Sequence, residues 1–144
     1  MSSGSDNNSS GQKEAKNKIK ILKGIDLSKR FFEIALEEYE SEDRERQKDA
    51  CEKGYRAATE ALDVLLNSRG VRIDMGQPEA HIQRKEALIY WEAIDPFFKQ
   101  INAKYSLFKD ELHGLGFYSN ADPKQFKQRL WEVKEFIEQI EKNL

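Results

Sequence analysis

The chain has 144 residues, 38% hydrophobic and 35% charged, with three prolines, eight glycines and a formal net charge of −2. This length makes one domain with a core of its own, and the near-neutral balance excludes a protein that grips nucleic acid by bulk positive charge. No apolar run approaches the roughly 18 residues of a membrane span, so no membrane partner is expected.

Residues 1–12 are Ser, Gly, Asn and Asp with almost nothing apolar, which predicts a disordered tail, and residues 13–144 are read as a single helical domain. The N-terminus lacks the apolar core of a signal peptide, and the single cysteine, Cys51, fits a reducing compartment, so the expected address is cytoplasmic. Gln12 to Lys23 carries Lys13, Lys16, Lys18, Lys20 and Lys23 around Ile19, Ile21 and Leu22. With no aromatic residue to stack a base, it reads as a short lead-in helix rather than a nucleic-acid arm.

Gly24 is expected to break this segment and Asp26 to cap a first bundle helix over Leu27 to Glu40. Its outer face is acidic, with Glu33, Glu37, Glu38 and Glu40, and reads as a solvated surface because no histidine accompanies the carboxylates. The second helix is expected from Arg44 to Ser68. Cys51, Tyr55, Ala58, Leu62 and Leu65 recur at 4-3-4-3 spacing, and the row Ala50, Gly54, Ala57, Ala61 lets another helix approach closely. Gly70 supplies a C-terminal stop. In the following RGVRIDMGQ connection, Val71, Ile73 and Met75 are expected to cap the core.

From Pro78 to His113 one apolar stripe, Ala87, Trp91, Ile94, Phe98, Ile101, Tyr105, Phe108 and Leu112, keeps a 4-3-4-3-4-3-4 spacing. Pro96 interrupts the backbone but not the phase, which predicts a kinked third helix or two nearly collinear ones broken at 94–96. His113-Gly-Leu-Gly-Phe-Tyr118 then turns the chain, and Asp122-Pro123 starts a last helix carrying Phe126, Leu130, Val133, Ile137 and Ile140. The expected fold is all-α: an antiparallel up-and-down four-helix bundle with a short N-terminal lead-in helix and a Pro-kinked third helix.

Chemistry-bearing side chains are sparse. His81 and His113 are too far apart for a helical metal pair, and Cys51 sits in an apolar stripe as a small hydrophobe. No catalytic residue, metal ligand or cofactor is assigned. His113, Lys109 and Tyr118 are the candidate ligand-binding residues. In a pocket, Gly114 and Gly116 would bring backbone N–H groups to an anion. In a purely structural turn, His113 would cap the preceding carbonyls and Phe117 would plug the bundle end. Phe32, Leu36, Tyr39 and Leu66 exceed what one partner helix need cover, so a homodimer sharing them is expected.

With these elements placed, the chain resembles small HEPN-like (higher eukaryote and prokaryote nucleotide-binding) helical proteins, over roughly residues 26–143. The likeness is carried by Tyr55-Arg-Ala-Ala-Thr-Glu-Ala-Leu62 with its small-residue row, by the long third helix, and by the His113-to-Tyr118 turn before a last amphipathic helix. The resemblance implies a bundle, frequent homodimerisation, and binding of a nucleotide, RNA or a protein partner. Many members are ribonucleases, often toxins paired with an antitoxin, that use an arginine with a histidine four to six positions beyond it. Residues 106–108, upstream of His113, are Ser, Leu and Phe, so that motif is absent. The expected function is a non-catalytic interaction module; the alternative is a degenerate RNA-processing enzyme or toxin–antitoxin component using His113 with Lys109 or Tyr118.

Overall fold

The computed structural model describes residues 10–144, and their side chains from residue 23 onward. All regular structure among the described residues is helical: α1 (Ser10–Tyr39), α2 (Arg44–Ser68), α3 (Ala80–Glu92), α4 (Pro96–Leu107) continued by a π-helical segment (Phe108–Phe117), a 3-10 turn (Pro123–Phe126) and α5 (Lys127–Lys142). None of these helices is long and apolar enough to cross a membrane.

α2 is the central element, packed by α1, α5 and the π segment. Asp43 starts it, its carboxylate accepting from the Glu45 N–H, and Gly70 ends it with φ +82°, a left-handed value that suits a residue without Cβ. The small-residue row works as expected. Ala50, Ala57 and Ala61 are fully buried, and a Cβ on Gly54 would collide with Leu130 of α5. On the α1 side, Ser28 donates to the Ala57 carbonyl at 2.6 Å, which satisfies a hydroxyl in a dry interface. Phe98, Ile101, Leu130, Val133 and Ile137 join one core cluster; burying each such side chain stabilises by about 1.5–3 kcal/mol.

Four expectations need correction. The tail expected over residues 1–9 lies outside the described residues, whereas 10–12 are helical and the expected lead-in, Gln12 to Lys23, is part of α1. Gly24 does not break α1. It lies inside the helix against Val64, where a side chain would not fit, so close approach to α2 compensates its poor helix propensity.

The kinked third helix is instead two helices folded against each other. Asp95 adopts an extended conformation (φ −129°, ψ 116°), its carboxylate caps α4 by accepting from the Phe97 N–H, and Pro96 occupies the first turn. α4 runs back beside α3, and Asn102 reaches Glu92 at 2.9 Å. The unbroken spacing from Ala87 to Leu112 therefore does not describe one surface: Ile94 is 56% exposed and Trp91 is only partly buried. Pro78 precedes the helix rather than opening it.

The third correction concerns residues 113–117, which are helical, so that the turn begins only at Tyr118. The π-helical backbone carries on through Phe117. Gly116 presses against α2, where a Cβ would stand 2.8 Å from Cys51 Cβ, so the glycine serves packing and not an anion. Finally, Phe32, Tyr39 and Leu66 lie in the core and are not available as a shared outer surface; only Leu36 stays half-buried.

Candidate functional site

The α2 face turned toward α3, α4 and the π segment is polar. Glu52, Tyr55, Thr59 and Asp63 follow one line along it at 3-4-4 spacing, beside the apolar stripe. Each finds a partner on another element.

At one end Asp63 accepts two hydrogen bonds from Arg84 of α3, at 2.6 and 2.8 Å, with side-chain exposures of 3% and 10%. Burial pushes the Asp63 carboxyl up from its ordinary range, against the pull of those two hydrogen bonds. In the middle, three hydroxyls form a closed chain. Thr59 donates to the Tyr55 carbonyl at 3.0 Å, so it must accept from Tyr105; Tyr105 in turn must accept from Tyr55, both at 2.9 Å. All three protons are consumed, leaving Tyr55 with acceptor capacity only. Burial pushes the Tyr105 phenol far up, so it stays protonated.

At the other end His113 Nδ1 lies 2.7 Å from a Glu52 oxygen. A carboxylate only accepts, so Nδ1 carries a proton and Nε2 is the ring's acceptor nitrogen in the neutral form. The imidazole stacks on Tyr55 (centroids 4.7 Å apart, 30° between planes) and takes the edge of Tyr118 at 5.0 Å. Tyr55 also stacks on Tyr105 at 5.6 Å. The result is a four-ring ladder, Tyr118–His113–Tyr55–Tyr105. π-helical bonding is what brings His113 and Tyr118, five residues apart, toward one side.

Beside the ladder opens a cleft of about 370 Å³. Its α3 wall carries His81, Arg84, Lys85, Leu88 and Ile89, its α4 and π wall Asn102, Ser106, Lys109 and Asp110, and Tyr55 and Tyr105 lie between. Lys85 and Lys109 enter no ion pair among the described residues, unlike Lys53 with Glu38 or Lys104 with Glu132. The cleft thus offers two ammonium groups free of ion pairs and a phenolic acceptor, with the Asp110 carboxylate beside them.

Of the three candidate residues, His113 and Tyr118 come together directly. Lys109 reaches them only through Tyr55, which lines its cleft and stacks on His113. His113 bonds Glu52, not the carbonyls of its own helix, so the capping reading fails in that form. Cys51 is buried behind the site, its thiol pushed up to about 12 by burial. Sequence reading missed Glu52, Thr59, the Asp63–Arg84 pair and Lys85; the available signal was the polar 3-4-4 line on α2, with Asp63 alone among Ala61 to Leu66. No group of three or more potential metal ligands occurs among the described residues. Comparison of the chain with protein-family models, with characterised proteins and with solved structures gives no match.

Proposed function

We propose that the chain is a non-catalytic, HEPN-like interaction module that binds a nucleotide or a short RNA segment along the Tyr118–His113–Tyr55 ladder. The antiparallel four-helix bundle of that family is part of the reading, with α1, α2, α4 plus its π extension, and α5 as the four. One observation carries it: the ring row ends in exposed Tyr118, open to a base, and its Tyr55 and Tyr105 members line the cleft that holds the unpaired Lys85 and Lys109, open to a phosphate. Base stacking contributes about 1–3 kcal/mol per base and tolerates any sequence. A homodimer and a cytoplasmic address belong to the same proposal, the latter supported by the lone, buried Cys51.

Calorimetric titration with a nucleoside triphosphate and with a short single-stranded RNA tests this reading. Saturable binding that weakens about tenfold or more in Tyr118→Ala, with the melt unchanged, is expected. Absence of heat with either ligand rejects it.

The Glu52–His113 contact favours a second reading, a degenerate RNA-processing enzyme or toxin–antitoxin component. A carboxylate holding Nδ1 leaves Nε2 placed as a general base. That reading requires RNA cleavage by the parent chain that His113→Ala and Glu52→Gln both abolish.

A further inference from the structure

We propose that the groove between α1 and α5 is the face on which two copies of this chain pair, about a two-fold axis running along the groove. The inference rests on the association put forward above and names the surface that carries it. The groove encloses about 430 Å³. Phe32 and Ile137 form its buried floor, and Trp131, 43% exposed, stands on its rim with its ring edge-on to Phe32 at 5.9 Å. A half-exposed indole beside half-buried Leu36, over a packed apolar floor, has the composition of an interface centre.

The rim charges say what covers it. α1 and α5 run antiparallel, tied by Lys29 to Glu141 near one end and by the Tyr39 hydroxyl to the Pro123 carbonyl near the other. Going up α1 and down α5 between those ties, Lys29 falls at the Glu138–Glu141 end, Glu33 near Lys134, and Leu36 toward Trp131. Lys134 and Glu138 enter no ion pair among the described residues, and Glu33 meets only exposed Arg30 at 3.7 Å.

A two-fold rotation along the groove lays α1 of one copy over α5 of the other at the same level. Each match across the groove becomes a match between copies: Lys29 meets Glu138, Glu33 meets Lys134, and Trp131 covers Leu36. Every pair occurs twice, because such an interface is self-complementary. A face of one charge sign would repel its own copy; this one alternates so as to fit it. Glu33 and Glu138 on the rim also oppose a nucleic-acid backbone.

The test is sedimentation of the full chain at micromolar concentration, with circular dichroism to verify folding. The parent, Trp131→Glu, Glu33→Lys and the swap Glu33→Lys with Lys134→Glu are compared. The proposal expects a parent dimer and a dimer Kd raised about tenfold or more by either single change. The swap should recover most of the loss. A dimer indifferent to Trp131→Glu and Glu33→Lys overturns this face and leaves the association standing. Failure of the swap to recover the dimer overturns the two-fold geometry, and a monomeric parent removes the face and the association together. Should either single variant not fold, Lys134→Glu alone reads the same contact from α5.

Discussion

The two long faces of α2 are built on opposite plans. Toward α1 and α5 it presents Ala50, Gly54, Ala57 and Ala61, and the buried contact is dry apart from one Ser28 hydroxyl given to a carbonyl, with the Lys53–Glu38 ion pair at its margin. Toward α3 and the π segment it presents Glu52, Tyr55, Thr59 and Asp63, each held by a named partner. Close approach of small residues stabilises without specifying chemistry. Buried polar groups cost desolvation and stabilise only when every partner is in place, as at Asp63 with Arg84, while Glu52, Tyr55 and Thr59 sit half-buried with theirs. The dry face explains why the chain folds, and the polar face is where a ligand is to be sought.

Breaking the polar face at its most buried point has the largest expected effect. Asp63→Ala leaves the Arg84 guanidinium buried without its carboxylate and should cost about 3–5 kcal/mol in denaturant unfolding. Replacing both partners, Asp63→Leu with Arg84→Met, should recover most of that loss. If the single change costs less than about 1 kcal/mol, α3 is not anchored through this pair.

Where the π segment meets α2, the two plans touch. Gly116→Ala drives a methyl into Cys51 and should cost about 1–3 kcal/mol. Cys51→Ala in the same chain should return part of it, a coupling that a double-mutant cycle measures. Tyr105→Phe removes the middle member of the hydroxyl chain and should cost about 1 kcal/mol, leaving the Tyr55 proton without its acceptor.

The smallest effect lies on the outer surface, and sharpens the contrast through pH. Burial raises the Glu132 carboxyl, but hydrogen bonds from Lys104 and Arg129 outweigh it and hold the group below its ordinary 4.5. A lowered folded value means that the charged form is favoured on folding. The gain is therefore complete above the ordinary value and vanishes as pH falls through the lowered one. Glu132→Gln should cost at most about 1 kcal/mol at neutral pH, and urea midpoints of parent and variant should converge in acid.

The dry plan was legible in the sequence because spacing records it. The α2 boundaries, the small-residue row and the α5 stripe all follow from periodicity and caps. The hairpin of α3 and α4 was not legible. Asp95 and Pro96 signal a new start, but helical phase counts residues and is blind to the direction of the axis, so the stripe seemed to continue. α1 ran through Gly24 because Val64 rewards the missing side chain, a reward that only the tertiary contact supplies. At the candidate site, His113 and Tyr118 stand close in the chain, so their ring contact could be anticipated from it. Glu52 lies 61 residues from His113, and Arg84 lies 21 from Asp63, so those pairs appear only once the helices are in place.

The central claim is that the ring ladder and its two lysines form a binding face. An amide chemical-shift titration of isotope-labelled chain with a nucleoside triphosphate tests it most directly. The account predicts saturable shifts concentrated at Tyr55, Lys85, Lys109, His113 and Tyr118, weakened in Lys109→Ala, with the α1–α2 contact unmoved. Shifts that never saturate, or that spread evenly over the surface and persist in Lys109→Ala, would contradict it.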